Sequence, residues 1–570
     1  MLFRAVSRPV ARPRAQVIIA PRARSLAAIT RIKDAISGTE ADFHTDGYAR
    51  TITTTNRRGL LQTSTLARNG SIARHARRLV DQKDIVEAFE LDGVELHASR
   101  VDRHTDGSYR IDFKQVLSFK PDRKKYQYHV RGGMVHVYMS KYGRIDQITS
   151  TVRHAEPVTD MPQIITPEQA EQAARAKHGA DARTVRLELS FSLHEGKFNP
   201  VYDVVLDSEK PKKIYAYIVE AVTGEVVHEE SKLHLLRRRP RQASTTAAAG
   251  VGCSTLLCVP NPDRPISEQM HEHVLKYVDP ANPTVLGNDR YRVTVGSDDR
   301  QVKANADGSF KFPWDSQEAR AVSNFFAVMY LTELFESAGA RVAEQYWLSV
   351  DNDEVVDNAY CDYINRTLKI GVGSGWENGG LAKDEANDIG IVEHEAGHKF
   401  GGDEVPSGDL GGTHGAAVNE GTCGDCAYLV ANFLMRLQFG KELGHTLTRD
   451  DIKNDGLVVG GYAVKHVGIR TLKNNKQAGK DETGEEHDDG EICGAATAEL
   501  LVALATAPSV EIESGLRLYA QLYIKALSRL PGSMTFKDLL RAFISADQAV
   551  TKGANRKLIE ACFANHSIKV

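Results

Sequence analysis

The chain has 570 residues, of which 41% are hydrophobic and 26% are charged. This is the composition of a globular protein, and the length suffices for about three or four domains. The formal net charge of −3 gives no electrostatic reason to expect nucleic acid or a membrane surface as a partner. No stretch reaches the roughly 18 consecutive apolar residues of a membrane-spanning helix, so we predict no transmembrane segment.

Residues 1–40 are predicted to be a leader. No Asp or Glu occurs from Met1 to Lys33, while arginine recurs throughout this stretch. The profile is typical of an organelle transit peptide, because a secretory signal needs a longer apolar core. A disordered leader or a misassigned start codon is an equally good interpretation.

Residues 41–160 are predicted to form an antiparallel sheet. Polar and apolar residues alternate in the segments 108–113 and 134–138, and glycines mark turns between such strands.

Residues 161–235 are predicted to be a small unit with a helix and several strands. Thr166, Pro167 and Gln169 supply the hydroxyl, the proline and the amide that typically begin a helix. Strand-like segments follow this helix, and a Thr-Gly turn separates the last two of them.

Residues 236–250 join a basic run to a run of small residues, which is a composition typical of linkers. The segment is a candidate processing site, although a plain connector explains it as well. From 251 to 570 the pattern is mainly helical, so the chain as a whole is predicted to be α+β. We predict helices over residues 317–338, 389–400, 416–439, 495–507, 513–529, 535–550 and 554–563.

The segment 394–398, His-Glu-Ala-Gly-His, carries the clearest chemical pattern. Its two histidines are four residues apart and share one face of a helix, where both can offer a ring nitrogen to Zn²⁺. Glu395 lies beside them, where a carboxylate can take a proton from a zinc-bound water. Gly401 and Gly402 are predicted to end this helix. The alternative is an amphipathic helix with two surface histidines.

A catalytic zinc site uses three protein ligands and leaves one position open for water. Glu420 is the candidate third ligand, because a carboxylate in an apolar helical setting is unusual unless it is paired or bound to metal. A glycine-rich loop between His398 and Glu420 can reverse the chain direction. The alternative is an ordinary glutamate near a helix start.

The order of these residues resembles the thermolysin and fungalysin families of zinc endopeptidases, which are gluzincins. In those enzymes an Asn-Glu pair on a second helix follows the His-Glu-x-x-His motif, and Asn419-Glu420 is similar to that pair. The segment 487–492, His-Asp-Asp-Gly-Glu-Ile, resembles a further fungalysin motif. Asn358 and Ala359 resemble the edge strand on which these enzymes bind the substrate backbone.

The N-terminal half extends the resemblance over nearly the whole chain beyond the leader. Residues 90–150 resemble the propeptide module of these families, and residues 161–230 resemble a PepSY domain. The resemblance implies a propeptide that acts as an intramolecular inhibitor or chaperone. It also implies a two-lobed catalytic domain over 251–570, with the zinc helix in a mixed β/α lobe and a mainly helical C-terminal lobe.

The resemblance further implies a role for each motif residue. The zinc ligands are then His394, His398 and Glu420. Glu395 accepts the proton of the water and passes it to the leaving amine. His487 donates a hydrogen bond to the oxyanion. Asn358 and the backbone of Ala359 align the peptide as an added strand.

Two departures from the family pattern bear on activity. The families place an aspartate four residues after the ligand glutamate, where it binds a ligand histidine, whereas Asp425 is five residues after Glu420. Either the helix bulges or Asp425 is not this partner, and its loss would weaken metal binding. Thermolysin-like enzymes also have an oxyanion-stabilising tyrosine here, and none occurs from 399 to 427. His414 is a substitute donor, with a plain loop histidine as the better interpretation.

The seven cysteines and the acidic residues near the zinc helix leave alternatives open. For Cys423 and Cys426 we favour a disulfide, local or long-range, over a redox pair or metal ligands. Several acidic residues are candidate Ca²⁺ ligands, with a solvated acidic loop as the better interpretation. These residues are Asp384, Glu385, Asp388, Asp403, Glu404 and Asp409.

The predicted function is therefore a zinc-dependent endopeptidase made as a zymogen, with a peptide or protein as substrate and its own propeptide as partner. The propeptide resemblance favours export, and the leader favours an organelle. One alternative is a catalytically inactive, metallopeptidase-like binding scaffold, which the shifted Asp425 and the missing tyrosine support. A second is a zinc exopeptidase, although no motif for gripping a substrate amino terminus is evident.

Overall fold

A computed structural model gives a mixed α+β protein, which confirms the predicted fold class. It describes residues 23–36, 39–43, 49–54, 60–62, 72–104, 107–119, 126–141, 143–155, 161–178, 182–194, 196–209, 212–231, 253–258, 270–313, 316–341, 345–356, 359–362, 366–372, 389–405, 414–440, 446–454, 457–459, 470–531 and 534–569. The chain divides into two compact units. Unit 1 comprises Met1–Val101, Tyr109–Ser118 and Gly133–His154, and unit 2 comprises Asp102–Ser108, Phe119–Gly132 and Ala155–Val570.

Three helices and an antiparallel sheet build the first part of the chain. The helices are α1 (Ala23–Ala35), α2 (Ile72–Val80) and α3 (Lys83–Ala88). The strands are β1 (Thr39–Phe43), β2 (Ala49–Thr54), β3 (Leu61–Gln62), β4 (Glu95–Arg103), β5 (Tyr109–Phe119), β6 (Tyr126–Met139) and β7 (Arg144–Ser150). Helix α1 lies inside the segment predicted to be the leader, and its residues Ala28, Ile29 and Ile32 are buried in the apolar core of unit 1.

A helix and a four-stranded antiparallel meander follow in unit 2. They are α4 (Pro167–His178), β8 (Arg183–His194), β9 (Lys197–Glu209), β10 (Lys212–Glu220) and β11 (Val226–Ser231). The reciprocal cap predicted at the start of α4 is present: the Thr166 N–H donates to Gln169 Oε1 at 2.8 Å, and the Gln169 N–H donates to Thr166 Oγ1 at 3.3 Å.

The remaining strands of unit 2 precede or interrupt its helices. They are β12 (Cys253–Cys258), β13 (Met270–Leu275), β14 (Tyr291–Val295), β15 (Arg300–Gln301), β16 (Tyr346–Val356), β17 (Ala359–Asp362), β18 (Thr367–Val372), β19 (Val458–Val459) and β20 (Arg470–Thr471). Five of them form a sheet in the order β15-β14-β16-β18-β17, in which β17 is the antiparallel strand at one edge.

The helices that follow α4 in unit 2 pack into one apolar core that also covers this five-stranded sheet. They are α5 (Gln317–Ser337), α6 (Ile389–Glu404), α7 (Gly415–Val418), a π-helix (Asn419–Cys426), α8 (Ala427–Phe439), α9 (Arg449–Asn454), α10 (Glu486–Thr506), α11 (Ile512–Leu527), α12 (Phe536–Thr551) and α13 (Arg556–Asn565). None of the helices that the structure describes is both long and apolar enough to cross a membrane.

Two helix predictions need correction. The segment predicted as one helix over 416–439 consists of α7, the π-helix and α8. Helix α10 begins at Glu486 instead of 495, although its acidic first turn is loop-like in sequence. The Glu485 side chain caps this helix by accepting hydrogen bonds from the backbone of His487 and Asp488. Acidic groups in a first helical turn are also favoured by the helix dipole, which explains why the acidic run is helical.

Candidate metal centre

Helix α6 carries both histidines of the 394–398 segment and is buried along nearly its whole length. It continues through Gly401 and Gly402 to Glu404, so the prediction that these glycines end it is wrong. A Cβ atom at Gly401 would lie 2.7 Å from Cys423 Sγ, and one at Gly397 would overlap the Cys423 carbonyl oxygen. Glycine at 397 and 401 therefore lets the π-helix lie directly against α6.

The structure brings the three predicted ligands together. The Nε2 atoms of His394 and His398 are 2.9 Å apart. The two Glu420 carboxylate oxygens lie 3.4 Å from His394 Nε2 and 3.5 Å from His398 Nε2. The three residues are buried, with exposed fractions of 6%, 0% and 3% in chain order. Within the described residues, they form the one group of three or more His, Cys, Asp or Glu whose ligand atoms lie within 4.8 Å of one another.

The chemistry of this group fits a bound cation. Two imidazole nitrogens and a carboxylate point at a common centre inside the protein, where they have little water to solvate them. A buried set of nitrogen and oxygen donors of this kind is a typical divalent-metal site. Residues His394, His398 and Glu420 can thus hold a metal ion.

The π-helix explains the unusual spacing of Glu420 and Asp425. In a π-helix the backbone hydrogen bonds run from residue i to i+5, so residues five apart lie one above the other. Glu420 and Asp425 both lie in this segment. Asp425 Oδ1 accordingly lies 2.8 Å from His394 Nδ1, on the ring edge opposite the ligand nitrogen. Of the two alternatives in the sequence, the bulged helix is correct.

Gly424 completes the contact between the π-helix and His394. A Cβ atom at this position would overlap several atoms of the imidazole ring. The ring is therefore held between the Gly424 backbone and the Asp425 carboxylate. Such contacts behind a ligand fix its orientation and the nitrogen that it offers to a metal.

His487 lies at the edge of this group, at the start of α10. Its Nε2 atom is 3.5 Å from a Glu420 carboxylate oxygen, and its side chain is about half exposed. Its Nδ1 atom is 2.6 Å from Glu485 Oε1. Burial raises the pKa of Glu485, but the hydrogen bonds from His487 and from the backbone of Asp488 outweigh burial, so that this pKa lies below its usual value. The sequence analysis did not identify Glu485 as a partner of His487. Its position two residues before His487 is the feature of the sequence that could have indicated it.

Glu395 directly follows His394 on α6 and is buried, and α6 packs against strand β17. Burial raises the pKa of the Cys361 thiol on this strand, and the nearby charge of Glu395 raises it further. Ala359 begins β17 and pairs with Ile370 of β18, while no other strand of the described residues pairs with the far edge of β17. The predicted substrate residue Asn358 lies outside the described residues.

His414 has a structural role and is not placed as a substitute oxyanion donor. Its Nδ1 atom accepts a hydrogen bond of 3.2 Å from the Phe536 backbone, and its ring stacks on Phe536 with the centroids 4.0 Å apart. Its Nε2 atom lies 3.5 Å from Glu482. The better interpretation from the sequence, a loop histidine, agrees with these contacts.

The favoured disulfide at Cys423 or Cys426 is wrong. All five cysteines whose side chains the structure describes are free and buried, and both of these are among them. Cys426 Sγ lies 2.9 Å from Thr497 Oγ1 on α10, whereas Cys423 Sγ lies near Gly401 on α6. The two thiols therefore contact different helices.

The acidic residues around α6 do not form a calcium site among the described residues. Asp403 Oδ2 accepts a hydrogen bond of 3.3 Å from Lys399 Nζ. Glu404 Oε1 accepts one of 2.6 Å from the Arg341 backbone. The other candidate calcium ligands, Asp384, Glu385, Asp388 and Asp409, lie outside the described residues.

No protein-family model and no curated protein matches the chain. Among solved structures, the chain is similar to the Bacillus megaterium YpeB C-terminal domain, with 12% sequence identity and a TM-score of 0.20. The match covers 36% of this chain and 95% of that chain. A similarity at this level does not assign the chain to a family.

Proposed function

We propose that this protein is a zinc-dependent endopeptidase that is synthesised as a zymogen. The observation that carries the proposal is the convergence of His394, His398 and Glu420, together with the buried Glu395 that directly follows His394 on α6. Two histidines and a carboxylate are the ligand set of several hydrolytic zinc sites, and a fourth position stays open for water. The resemblance of the sequence to the thermolysin and fungalysin families points to the same chemistry.

The roles of the protein groups follow from their positions. Bound Zn²⁺ would supply a Lewis acid and lower the pKa of a bound water. Glu395, on the same helix as two ligands, would accept the water proton and later pass it to the leaving nitrogen. Asp425, behind His394, would hold the ring so that Nε2 is the ligand atom.

His487 would stabilise the negative charge that develops on the substrate carbonyl oxygen. The hydrogen bond between its Nδ1 and Glu485 Oε1 would orient the ring so that Nε2 faces the oxyanion. This arrangement could take over the part that a tyrosine has in thermolysin-like enzymes. A substrate strand would lie along β17, near Glu395.

The N-terminal half would act as an intramolecular inhibitor or chaperone until the chain is processed. The propeptide-like and PepSY-like resemblance of residues 90–230 supports this part of the proposal. The processing segment would be 236–250, which lies outside the described residues.

The test combines metal analysis with proteolysis. Purified protein should contain about one zinc per chain, and Glu420→Ala should lower that content. Glu395→Gln should abolish casein hydrolysis while retaining zinc and the folded state. Glu486→Gln is a matched control, because this exposed glutamate at the start of α10 undergoes the same change from acid to amide.

The outcomes separate the proposal from its rivals. Equal casein hydrolysis by wild type and Glu395→Gln would contradict the enzymatic mechanism. Zinc binding without hydrolysis, in processed protein as well, would favour an inactive binding scaffold. Release of fixed-length products from peptides would favour an exopeptidase.

A further inference from the structure

The backbone carbonyl of Cys423 lies where three helices meet. Cys423 is in the π-helix, between the ligand Glu420 and Asp425. On one side its oxygen adjoins Gly397 of α6, where a Cβ atom would overlap it. On the other side it accepts a hydrogen bond of 3.0 Å from the Tyr523 hydroxyl of α11. One carbonyl thus links the two ligand-bearing helices to a third helix that carries no ligand.

This carbonyl lies close to a junction between two kinds of helix. The π-helix ends at Cys426 and α8 continues from Ala427, so the backbone spacing changes from i+5 to i+4 within a few residues. π-Helices are rare and appear mostly as single turns inside α-helices, often at functional sites. A hydrogen bond from another element can stabilise such a junction, typically by about 0.5–1.5 kcal/mol.

The surroundings of Tyr523 hold its hydroxyl in place as a donor to the Cys423 carbonyl. Its ring is fully buried and stacks on Phe335, with the centroids 5.1 Å apart. Burial raises the pKa of its hydroxyl well above the usual value, with further contributions from Cys423 and Cys426. The hydroxyl therefore keeps its proton, and the stacked ring aims it at the Cys423 oxygen.

We propose that Tyr523 is a positioning residue for the metal site. Its hydrogen bond to Cys423 stabilises the π-helical spacing that brings both Glu420 and Asp425 to His394. An α-helix turns by about 100° per residue, so with α-helical spacing Asp425 would lie about 140° around the helix axis from Glu420. It would then point away from His394. This inference rests on the metal binding in the proposed function and does not depend on peptidase activity.

The experiment compares two Tyr→Phe variants of the full-length chain. Tyr523→Phe removes the hydroxyl and retains the stacked ring. The control is Tyr291→Phe: Tyr291 is also fully buried, and its hydroxyl lies 3.0 Å from Thr332 Oγ1, so this variant loses a similar contact within unit 2. Affinity for Zn²⁺ is measured by competition with a chelator, and the Co²⁺ absorption spectrum reports the ligand geometry.

We expect Tyr523→Phe to weaken metal binding by about tenfold or more. Loss of the groups that orient metal-binding side chains typically reduces metal affinity by this amount. Its Co²⁺ spectrum should also differ from that of wild type. Tyr291→Phe should change neither, although both variants should melt at a lower temperature without metal.

Equal metal affinities and spectra of Tyr523→Phe and wild type would overturn the inference, as would an equal loss in Tyr291→Phe. If Tyr523→Phe does not fold, Gly397→Ala displaces the same carbonyl from the other side and should weaken binding, and unchanged affinity would again overturn the inference. A wild-type protein that binds no metal would instead contradict the proposed function, so the two failures are distinguishable.

Discussion

At the scale of single residues, the candidate metal site needs a glycine at position 424, because the His394 ring leaves no room for a Cβ atom there. A methyl group at this position would overlap the His394 ring. We expect Gly424→Ala to displace His394 and to lower the zinc content of the purified protein markedly. Zinc analysis and thermal unfolding of the metal-free protein measure the two effects separately.

Gly479→Ala is the control for this prediction. Gly479 has a φ of +77° and open space around it, so alanine there costs backbone strain without touching a ligand. Its zinc content should equal that of wild type. Normal zinc content in Gly424→Ala would mean that the His394 ring does not need its present position.

The individual residues of the site were predictable to different extents. The four-residue spacing of His394 and His398 gives their shared helix face directly, and the apolar setting of Glu420 marks it as a candidate ligand. Asp425 follows from resemblance alone, and its spacing left two alternatives. Tyr523 has no signal in the sequence, because it lies 100 residues from Cys423 and its role depends on tertiary packing.

At the scale of helices, His566 at the C-terminal end of α13 contacts Glu499 of α10. His566 Nδ1 lies 2.8 Å from the Lys476 carbonyl oxygen, and its Nε2 lies 3.2 Å from Glu499 Oε1. Burial lowers the pKa of His566, but the contacts with Glu499 and Lys476 outweigh it and raise this pKa above its usual value. The cationic ring can donate from both nitrogens, so the attachment of α13 depends on pH.

The sign of this dependence follows from linkage. Because the folded-state pKa is raised, the stabilisation by His566 is fully present below the unfolded pKa of about 6.5. It is lost as the pH rises through the folded pKa. We expect His566→Gln to lose this part of the pH dependence, so that the melting temperatures of wild type and variant approach each other toward alkaline pH. Thermal unfolding across that range measures it.

His194→Gln serves as the comparison, because His194 is exposed at the end of β8. It should leave the pH dependence of the melting temperature nearly as in wild type. A constant difference between wild type and His566→Gln at all pH values would contradict a titrating attachment.

Helix periodicity predicts the long helices of unit 2 well, since their apolar residues repeat at the spacing of an α-helix. The errors occur where other interactions determine the backbone. The acidic start of α10 is stabilised by the Glu485 cap, and α6 continues past two glycines because these are packing sites. The sequence left the π-helix as one of two alternatives. Its stability depends on contacts with neighbouring helices, which helix periodicity does not report.

At the scale of the whole molecule, each unit has an apolar core of its own. Unit 1 also has a buried charged cluster: Arg110 Nε and Nη2 donate to the Asp112 carboxylate at 2.9 and 2.8 Å, and His136 Nδ1 lies 2.8 Å from the same carboxylate. Burial raises the pKa of Asp112, but Arg110 and His136 outweigh it and hold this pKa well below its usual range. The cluster thus requires the ionised carboxylate.

Asp112→Asn should therefore destabilise unit 1 by about 3–5 kcal/mol, because it leaves the buried Arg110 cation without its charged partner. The candidate metal ligands lie in unit 2, so Zn²⁺ bound as we propose should stabilise that unit by mass action. We expect two transitions in calorimetry: Asp112→Asn lowers one, and chelation of zinc lowers the other. Asp92→Asn is the control, because the Arg24–Asp92 ion pair is exposed and such pairs contribute about 1 kcal/mol or less. A single transition that both changes lower together would instead mean that the two cores unfold as one.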